Sequence, residues 1–483
     1  MRHRVGAVLT PIVFLFLLAF PLPTLSPAAH RLAGVLGAVV VLWVTEALPL
    51  PVTALLGAAA CVVLRVAPAK DVFAPFADPL MFLFIGAFII SRAIFLHRLD
   101  RRLAYAVLSL PWVGARPARI LLAYGAVTAF ISAWISNTAT TAMMYGIGLS
   151  ILAALERPGE GRVIAPRYAT AVMLMASFAA AIGGLATPIG TPPNVIGIGF
   201  IRTLTGTEIP FFSWSLIGVP VVLVLYAFVY LYFNALAPAG FVEIPGASAR
   251  LKTEREQLGP WTTGQRSVAI AFSITVALWV FPGIVAIIAG DRSPAYAAVV
   301  GSIPEGVAGI LGALLLFVLP GPDGGRAITW EEASHIDWGV VLLYGGGFSL
   351  GVLSFQTGLA EALGRGLTGL IPLHGSLGLL MVSVVVAVLL SETTSNTAAA
   401  NMVVPVVISV AKAAGLDPVE PALGATFASS LGFMLPVSTP GNAIVYGSGL
   451  IPIGRMIRFG ALLDVGGIVV IVTMVHALIS LIR

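Results

Sequence analysis

Apolar runs long enough to enter a bilayer recur along almost the whole chain, and polar residues interrupt them at a few matching places. A spanning helix needs roughly 20 apolar residues. The pattern predicts spans near 5–22, 32–49, 51–66, 79–97, 166–186, 213–236, 267–289, 297–320, 338–358, 421–437 and 459–482. Two further regions, 119–156 and 376–413, are apolar, then polar at Ser136-Asn137-Thr138 or Ser395-Asn396-Thr397, then apolar again. Each arm is short for a full span, so the pair predicts two re-entrant hairpins. Irregular backbone at membrane depth is tolerated only where it is buried in protein or lines a wet cavity.

The span after each hairpin is also broken, at Thr187-Pro-Ile-Gly-Thr-Pro-Pro-Asn194 and at Val437-Ser-Thr-Pro-Gly-Asn442. Proline removes a backbone donor and glycine permits irregular dihedrals, so helices stop there and can restart. The two Ser-Asn-Thr segments lie 259 residues apart, and residues 79–102 align with 338–361 at the same offset. Arg98, Arg101 and Arg102 then correspond to Thr357, Ala360 and Glu361. One end is basic and its counterpart is not, and under the positive-inside bias this predicts an inverted repeat. It also places the N-terminus and the basic loop 250–266 on the cytoplasmic side. The expected organisation is 1–78 N-terminal scaffold helices, 79–203 first transport repeat, 204–337 scaffold helices with a cytoplasmic loop, 338–452 second transport repeat, and 453–483 a C-terminal helix.

Composition agrees with the pattern. Of 483 residues, 58% are hydrophobic and 10% charged, with a mean hydropathy of +1.02. Soluble domains carry about 25% charge, so the chain reads as an all-α polytopic membrane protein. The net charge of +5 reports basic loops rather than nucleic-acid binding. The longest polar interruption, about 248–266, reads as a loop. The single cysteine, Cys61, excludes an internal disulfide and a multi-cysteine metal site. The basic start followed by apolar residues 5–20 mimics a signal peptide but reads as a first span, because spans continue after it.

The polar breaks carry the chemistry. Helix N-termini present free N–H groups and a dipole that favour an anion, and Asn and Thr add directional donors and acceptors. None of the four breaks contains Arg or Lys, so a dianion held there calls for compensating cations. Ser132 precedes Ser136, and Ser391 precedes Ser395, by four residues, which sets both serines of each pair near one helix end. Hydroxyl, amide and unwound carbonyl oxygens are hard ligands suited to sodium. The residues point to a small dianion flanked by two cation sites.

The segments FISAWISNTATTAMM (130–144), SETTSNTAAA (391–400), TPIGTPPN (187–194), STPGNAIVYG (438–447) and WVTEALPLPVTAL (43–55) resemble the divalent anion/sodium symporter family, and the resemblance covers most of the chain. It implies sodium-coupled symport of di- or tricarboxylates such as succinate, malate and fumarate. It also implies about eleven spans with two re-entrant hairpins, a homodimer in membrane lipid, an elevator mechanism and no organic cofactor. The location implied is the cytoplasmic membrane of a bacterium. The alternatives within the family are a sodium-independent dicarboxylate exchanger and a carrier of sulfate or another inorganic dianion. By the family pattern the first sodium site falls on Ser132, Ser136, Asn137 and Gly190, and the second on Ser391, Thr394, Asn396 and Ser438. Substrate contacts fall on Asn137, Thr138, Thr191, Asn396, Thr397, Thr439 and Pro440. The second broken helix reads Thr-Pro-Gly-Asn where Thr-Pro-Pro-Asn is common, so Gly441 adds local freedom.

Other polar residues read more plainly. Glu392, inside the second hairpin, is either functional or a partner that orients the tip. Glu46 sits near a span end and fits interfacial snorkelling, and Asp464 is expected to face protein or the interface. The six histidines, at 3, 30, 97, 335, 374 and 476, show no metal-ligand spacing. Gly345-Gly346-Gly347 lacks the rest of a phosphate loop and fits close helix packing. No nucleophile–base pair or zinc-protease helix is present, so the chain does not read as an enzyme.

Overall fold

The computed structural model describes residues 2–155, 165–240, 247–368 and 375–482. The chain opens with α1 (Arg2–Ala19), α2 (Pro27–Thr45), α3 (Leu50–Val63) and the short α4 (Ala69–Phe73). Residues 79–205 hold α5 (Pro79–Leu96), α6 (Leu99–Leu108), the hairpin α7 (Pro117–Ser132) and α8 (Asn137–Leu155), then α9 (Pro166–Gly183) and α10 (Pro192–Thr205). Next come α11 (Phe211–Leu236), α12 (Ala247–Gln257), α13 (Thr263–Ala289), α14 (Pro294–Ser302), α15 (Glu305–Val318) and α16 (Trp330–Ser334). Residues 338–446 hold α17 (Trp338–Gln356), α18 (Leu359–Thr368), the hairpin α19 (Gly375–Thr393) and α20 (Asn396–Ala413), then α21 (Val419–Ala428) and α22 (Pro440–Tyr446); α23 (Ile453–Leu478) follows.

Among the described residues nine helices are long and apolar enough to cross a membrane, and ten if α14 and α15, bent by 50°, count as one span. The expected span at 297–320 is therefore broken rather than straight, with Pro304 at the break. The spans expected at 166–186 and 421–437 stop at Gly183 and Ala428, where the chain unwinds before each broken-helix motif. Three of the four hairpin arms reach 18 or 19 residues, so they are not short; what identifies them is where their tips meet. The polar stretch read as a loop at 248–266 contains α12. Lys252 and Glu256, four residues apart, face each other on it at 3.9 Å, and α12 packs on α6 and α8.

Side-chain caps and first-turn prolines fix several starts. Ser26 caps α2 and Asp78 caps α5, each just before a proline that is pre-set for the first turn. Asp78 also pairs with Arg202 of α10 and accepts a hydrogen bond from the Tyr344 hydroxyl of α17 at 3.2 Å. One carboxylate thus ties together α5, α10 and α17. Close approach is bought with glycine where helices cross: a Cβ on Gly86 would strike the Gly309 backbone of α15, and one on Gly346 would strike Ala54 of α3. The triglycine segment is therefore a packing surface.

The helix beyond each break packs mainly on an arm of the other hairpin: α10 lies on α20, and α22 lies on α8. Contacts between helix ends define two faces. On one, Arg2 donates to Val44 O, His97 bonds Ala327 O at 2.7 Å, Arg255 reaches Ser109 and Arg455 donates to Pro166 O at 3.0 Å. On the other, Ser26 donates to Thr357 O, Lys412 donates to Leu204 O and His476 bonds Glu420.

Candidate functional site

At the first tip, α7 ends at Ser132 and α8 begins at Asn137. With its amide oriented to satisfy its donors, Asn137 donates to Ser132 Oγ at 2.7 Å, Ala180 O at 3.1 Å and Gly190 O at 3.3 Å. This brings together three of the four residues expected at the first cation site, and the oxygen of Asn137 is left free of those contacts. Gly190 allows it: a Cβ there would strike the carbonyl of Gly184, so the unwound segment could not close on itself. Ser136, the fourth residue, lines the cavity beside Asn137.

The second tip repeats the serine–asparagine pairing, with the serine as donor. Ser391 Oγ donates to Asn396 Oδ1 at 2.8 Å and to Ser429 O at 2.8 Å. Ser438 donates to Glu392, at 3.0 Å to its carbonyl and 2.8 Å to its carboxylate, while Met434 N donates to the other carboxylate oxygen at 2.8 Å. Gly432 lies between Ser391 and Ser438 and would bring a Cβ within 3.2–3.4 Å of both. Thr394 turns its hydroxyl back to Leu390 O at 2.9 Å, on its own helix. Ser132, Ser391 and Thr394 are buried behind the tips.

Sequence reading passed over two residues that hold the breaks in shape. Asn194 Nδ2 donates to Gly184 O and Thr187 O, 10 and 7 residues upstream. Asn442 Nδ2 donates to Gly432 O and Leu435 O at the same two spacings. Each therefore staples its own unwound segment through otherwise unpaired carbonyls. The signal was present, since each is the final residue of a broken-helix motif. The freedom expected of Gly441 is not used: it sits in the first turn of α22, a position equivalent to Pro193 in α10, against Thr141 and Ser177.

Both tips and both breaks line one cavity of about 1230 Å³. All the residues expected to contact substrate, Asn137, Thr138, Thr191, Asn396, Thr397, Thr439 and Pro440, are on its wall. Helices α8, α10, α20 and α22 all begin there, so their N-termini converge on the same space. Thr191, at the N-cap of α10, makes no cap bond with its side chain and is free for a ligand; Thr439 accepts from Asn442 N at 3.1 Å. From the tips the cavity extends past Phe88, Ser91, Arg92 and Phe95 of α5 to His3, Glu46, His335 and Asp337. Glu46, expected at an interface or in helix packing rather than in transport, lies at the cavity mouth.

Two acids lie deep beside the second set. Glu392 and Asp464 are each 3% exposed, and neither oxygen of Asp464 receives a donor. Asp464 faces Glu392 and the Phe433 backbone, so it looks into protein. Among the described residues no group of three or more His, Cys, Asp and Glu side chains is placed to hold a metal ion. The donors at both tips are hydroxyl, amide and carbonyl oxygens, a set that fits a hard monovalent cation as co-substrate.

Comparison with known proteins follows the same lines. Residues 2–482 match the family model described as the sodium:sulfate symporter transmembrane region. The chain is 32% identical to the sodium-dependent dicarboxylate transporter SdcS of Staphylococcus saprophyticus, over 98% of this chain and 91% of that protein. It is 31% identical to the protein of the same name from Staphylococcus aureus, over 98% and 90%. Among solved structures it resembles the MtrF transporter of Neisseria gonorrhoeae (TM-score 0.56, 13% identity, 87% of this chain and 85% of that one). It also resembles the YdaH transporter of Alcanivorax borkumensis (TM-score 0.52, 13% identity, 84% and 86%). At that identity the likeness shows the fold alone.

Proposed function

The chain belongs to the sodium:sulfate symporter family of integral membrane transporters, and from that premise we propose that it couples sodium to the uptake of four-carbon dicarboxylates such as succinate, malate and fumarate. The observation that carries the reading is the matched pair of Asn–Ser tips, with four helix N-termini around one cavity and no Arg or Lys in the breaks. The helix ends and amides accept negative charge, but they are ends of fixed dipoles and carry no net charge to balance a dianion. Sodium at each tip supplies what is missing. The first site is assigned to Ser132, Ser136, Asn137 and Gly190, and the second to Ser391, Thr394, Asn396 and Ser438. The dicarboxylate lies between Asn137, Thr138 and Thr191 on one side and Asn396, Thr397, Thr439 and Pro440 on the other. The names of the staphylococcal relatives favour dicarboxylate over sulfate.

Orientation follows from charge. Arg2, Arg98, Arg101, Arg102, Arg250, Lys252, Arg255, Arg266, Arg326 and Arg455 gather toward the face of the N-terminus, against Arg31, Arg65, Arg365 and Lys412 toward the other. The positive-inside bias makes the first face cytoplasmic, and the cavity opens toward it. Inversion of the repeats is supported by α5 ending on that face while its counterpart α17 ends on the other, where Thr357 meets Ser26. We assign the working body to 79–203 and 338–452, moving as an elevator against helices of 1–78 and 204–337 in a homodimer.

Labelled succinate uptake into proteoliposomes tests the reading. Uptake driven by an inward sodium gradient, with no internal substrate, is expected. Uptake that needs internal succinate instead would make the protein an exchanger, and uptake of sulfate alone would move it to inorganic dianions. No uptake of succinate, malate or citrate under either condition would sink the carboxylate reading.

A further inference from the structure

Among the described residues Arg92 is the one Arg or Lys on the wall of the cavity, and it has no partner among them. Phe88, Ser91, Arg92 and Phe95 recur at the spacing of one helix face, and all four line the space between the tips and the mouth. The guanidinium makes no hydrogen bond or ion pair with any described residue. An arginine that served packing would be expected to bond a carbonyl, as Arg102 does with Leu258 O and Gly259 O, or a carboxylate, as Arg365 does with Glu361. The other titratable groups in the vestibule are partly engaged. His3 and His335 bond the carbonyls of Glu46 and Glu331, and the Asp337 carboxylate accepts from Val340 N. The Glu46 side chain makes no bond with a described residue.

We propose that Arg92 is a capture residue for the dianionic substrate. It holds a carboxylate in the vestibule on the N-terminal face and raises the local concentration of anion above the uncharged tips. The tips carry directional donors but no full positive charge until cations bind, so a permanent cation one stage outward speeds their loading. Arginine suits this role because its planar fork meets a carboxylate with two bonds and stays charged at any working pH. Only one face of the protein opens to Arg92, so its effect is one-sided: it acts on substrate arriving from, or leaving to, the face of the N-terminus.

This inference rests on the transport reading above, and the experiment separates the two. Oriented proteoliposomes carrying wild type, Arg92→Gln and Arg92→Lys are given labelled succinate from either face, at fixed sodium and at low and high potassium chloride. For substrate presented to the N-terminal face, Arg92→Gln should raise KM about threefold to tenfold, with maximal rate and sodium half-saturation unchanged. The dependence of KM on potassium chloride should flatten, and Arg92→Lys should recover part of both effects. KM from the opposite face should stay at the wild-type value. Equal changes from both faces, a changed maximal rate with unchanged KM, or an unaltered salt dependence would each overturn the proposal. Arg92→Gln is also combined with Glu46→Gln. If the effect vanishes in that background, Arg92 acts only as the partner of Glu46 and the capture role is wrong. Absence of transport by the wild type would instead overturn the function.

Discussion

Asn137 and Asn396 each do two things at once: they open a helix and they turn an amide onto the serine five residues back. Alanine at either position keeps the helix but loses the amide, leaving the paired serine without that partner. Asn137→Ala and Asn396→Ala should each reduce sodium-driven succinate uptake at least 100-fold, while size-exclusion profiles stay those of the wild type; near-normal uptake by either variant would remove these residues from the site. A second residue-scale prediction concerns Asp100, in the first turn of α6. It is 2% exposed with one oxygen lacking a donor, and burial pushes its carboxyl up to about 6 despite the opposing pull of Arg101 and Arg98. The folded state then binds more protons than the unfolded one between about pH 4 and 6. Stability is therefore lost as pH rises through that window and stays lower above it. Asp100→Asn should raise the melting temperature in detergent at pH 8, by the equivalent of about 2–3 kcal/mol, and the gain should vanish near pH 4. A gain that persists at pH 4 would show a cause other than ionisation.

At the scale of elements, the junction of α5, α10 and α17 rests on one carboxylate. Asp78 caps α5, pairs with Arg202 and accepts from Tyr344. Replacing it by alanine removes a cap and leaves a half-buried guanidinium unpaired, a loss of roughly 2–4 kcal/mol. Thermal unfolding of Asp78→Ala should start well below the wild type, while Arg365→Ala, which breaks an exposed pair on α18, should melt within a degree of it. The hairpins and breaks were legible in the sequence because Ser-Asn-Thr, Pro and Gly are conspicuous inside apolar runs. The length of the unwound stretches was not. Residues 184–191 and 429–439 are small or apolar, and only the carbonyl contacts of Asn194 and Asn442 show that the backbone is held open there. The helix α12 was hidden for the opposite reason: its polar residues read as a loop until helices α6 and α8 gave it a surface to lie on.

For the whole molecule, a cavity that opens to one face makes access directional. In a Cys61→Ala background, the buried native thiol is gone and Thr138→Cys places a single thiol on the cavity wall. A membrane-impermeant thiol reagent should label it rapidly from the N-terminal face and slowly from the other, and sodium with succinate should slow labelling. Equal rates from both faces would contradict the one-sided opening. Which residues face each other across the repeats was beyond sequence reading altogether. Arg92 drew no reading from the sequence, and Asp464 was expected only to face protein or the interface; the fold set one in the vestibule and the other against Glu392.

The two tips share the leading serine and Ser-Asn-Thr, but the three residues between differ throughout: Ala133-Trp134-Ile135 against Glu392-Thr393-Thr394. The position after Ser132 is Ala133, and the position after Ser391 is Glu392, with Asp464 behind it. On the proposed assignment the two tips therefore offer berths of unequal depth to the same ion. A carboxylate beside the second deepens its well, while the first relies on neutral oxygens. Occupancy should then be ordered in time, with the second berth filling at lower sodium and the first completing the set only as the gradient rises. A cell would read such a protein as a threshold device, idle in poor sodium and steeply engaged once both berths are taken.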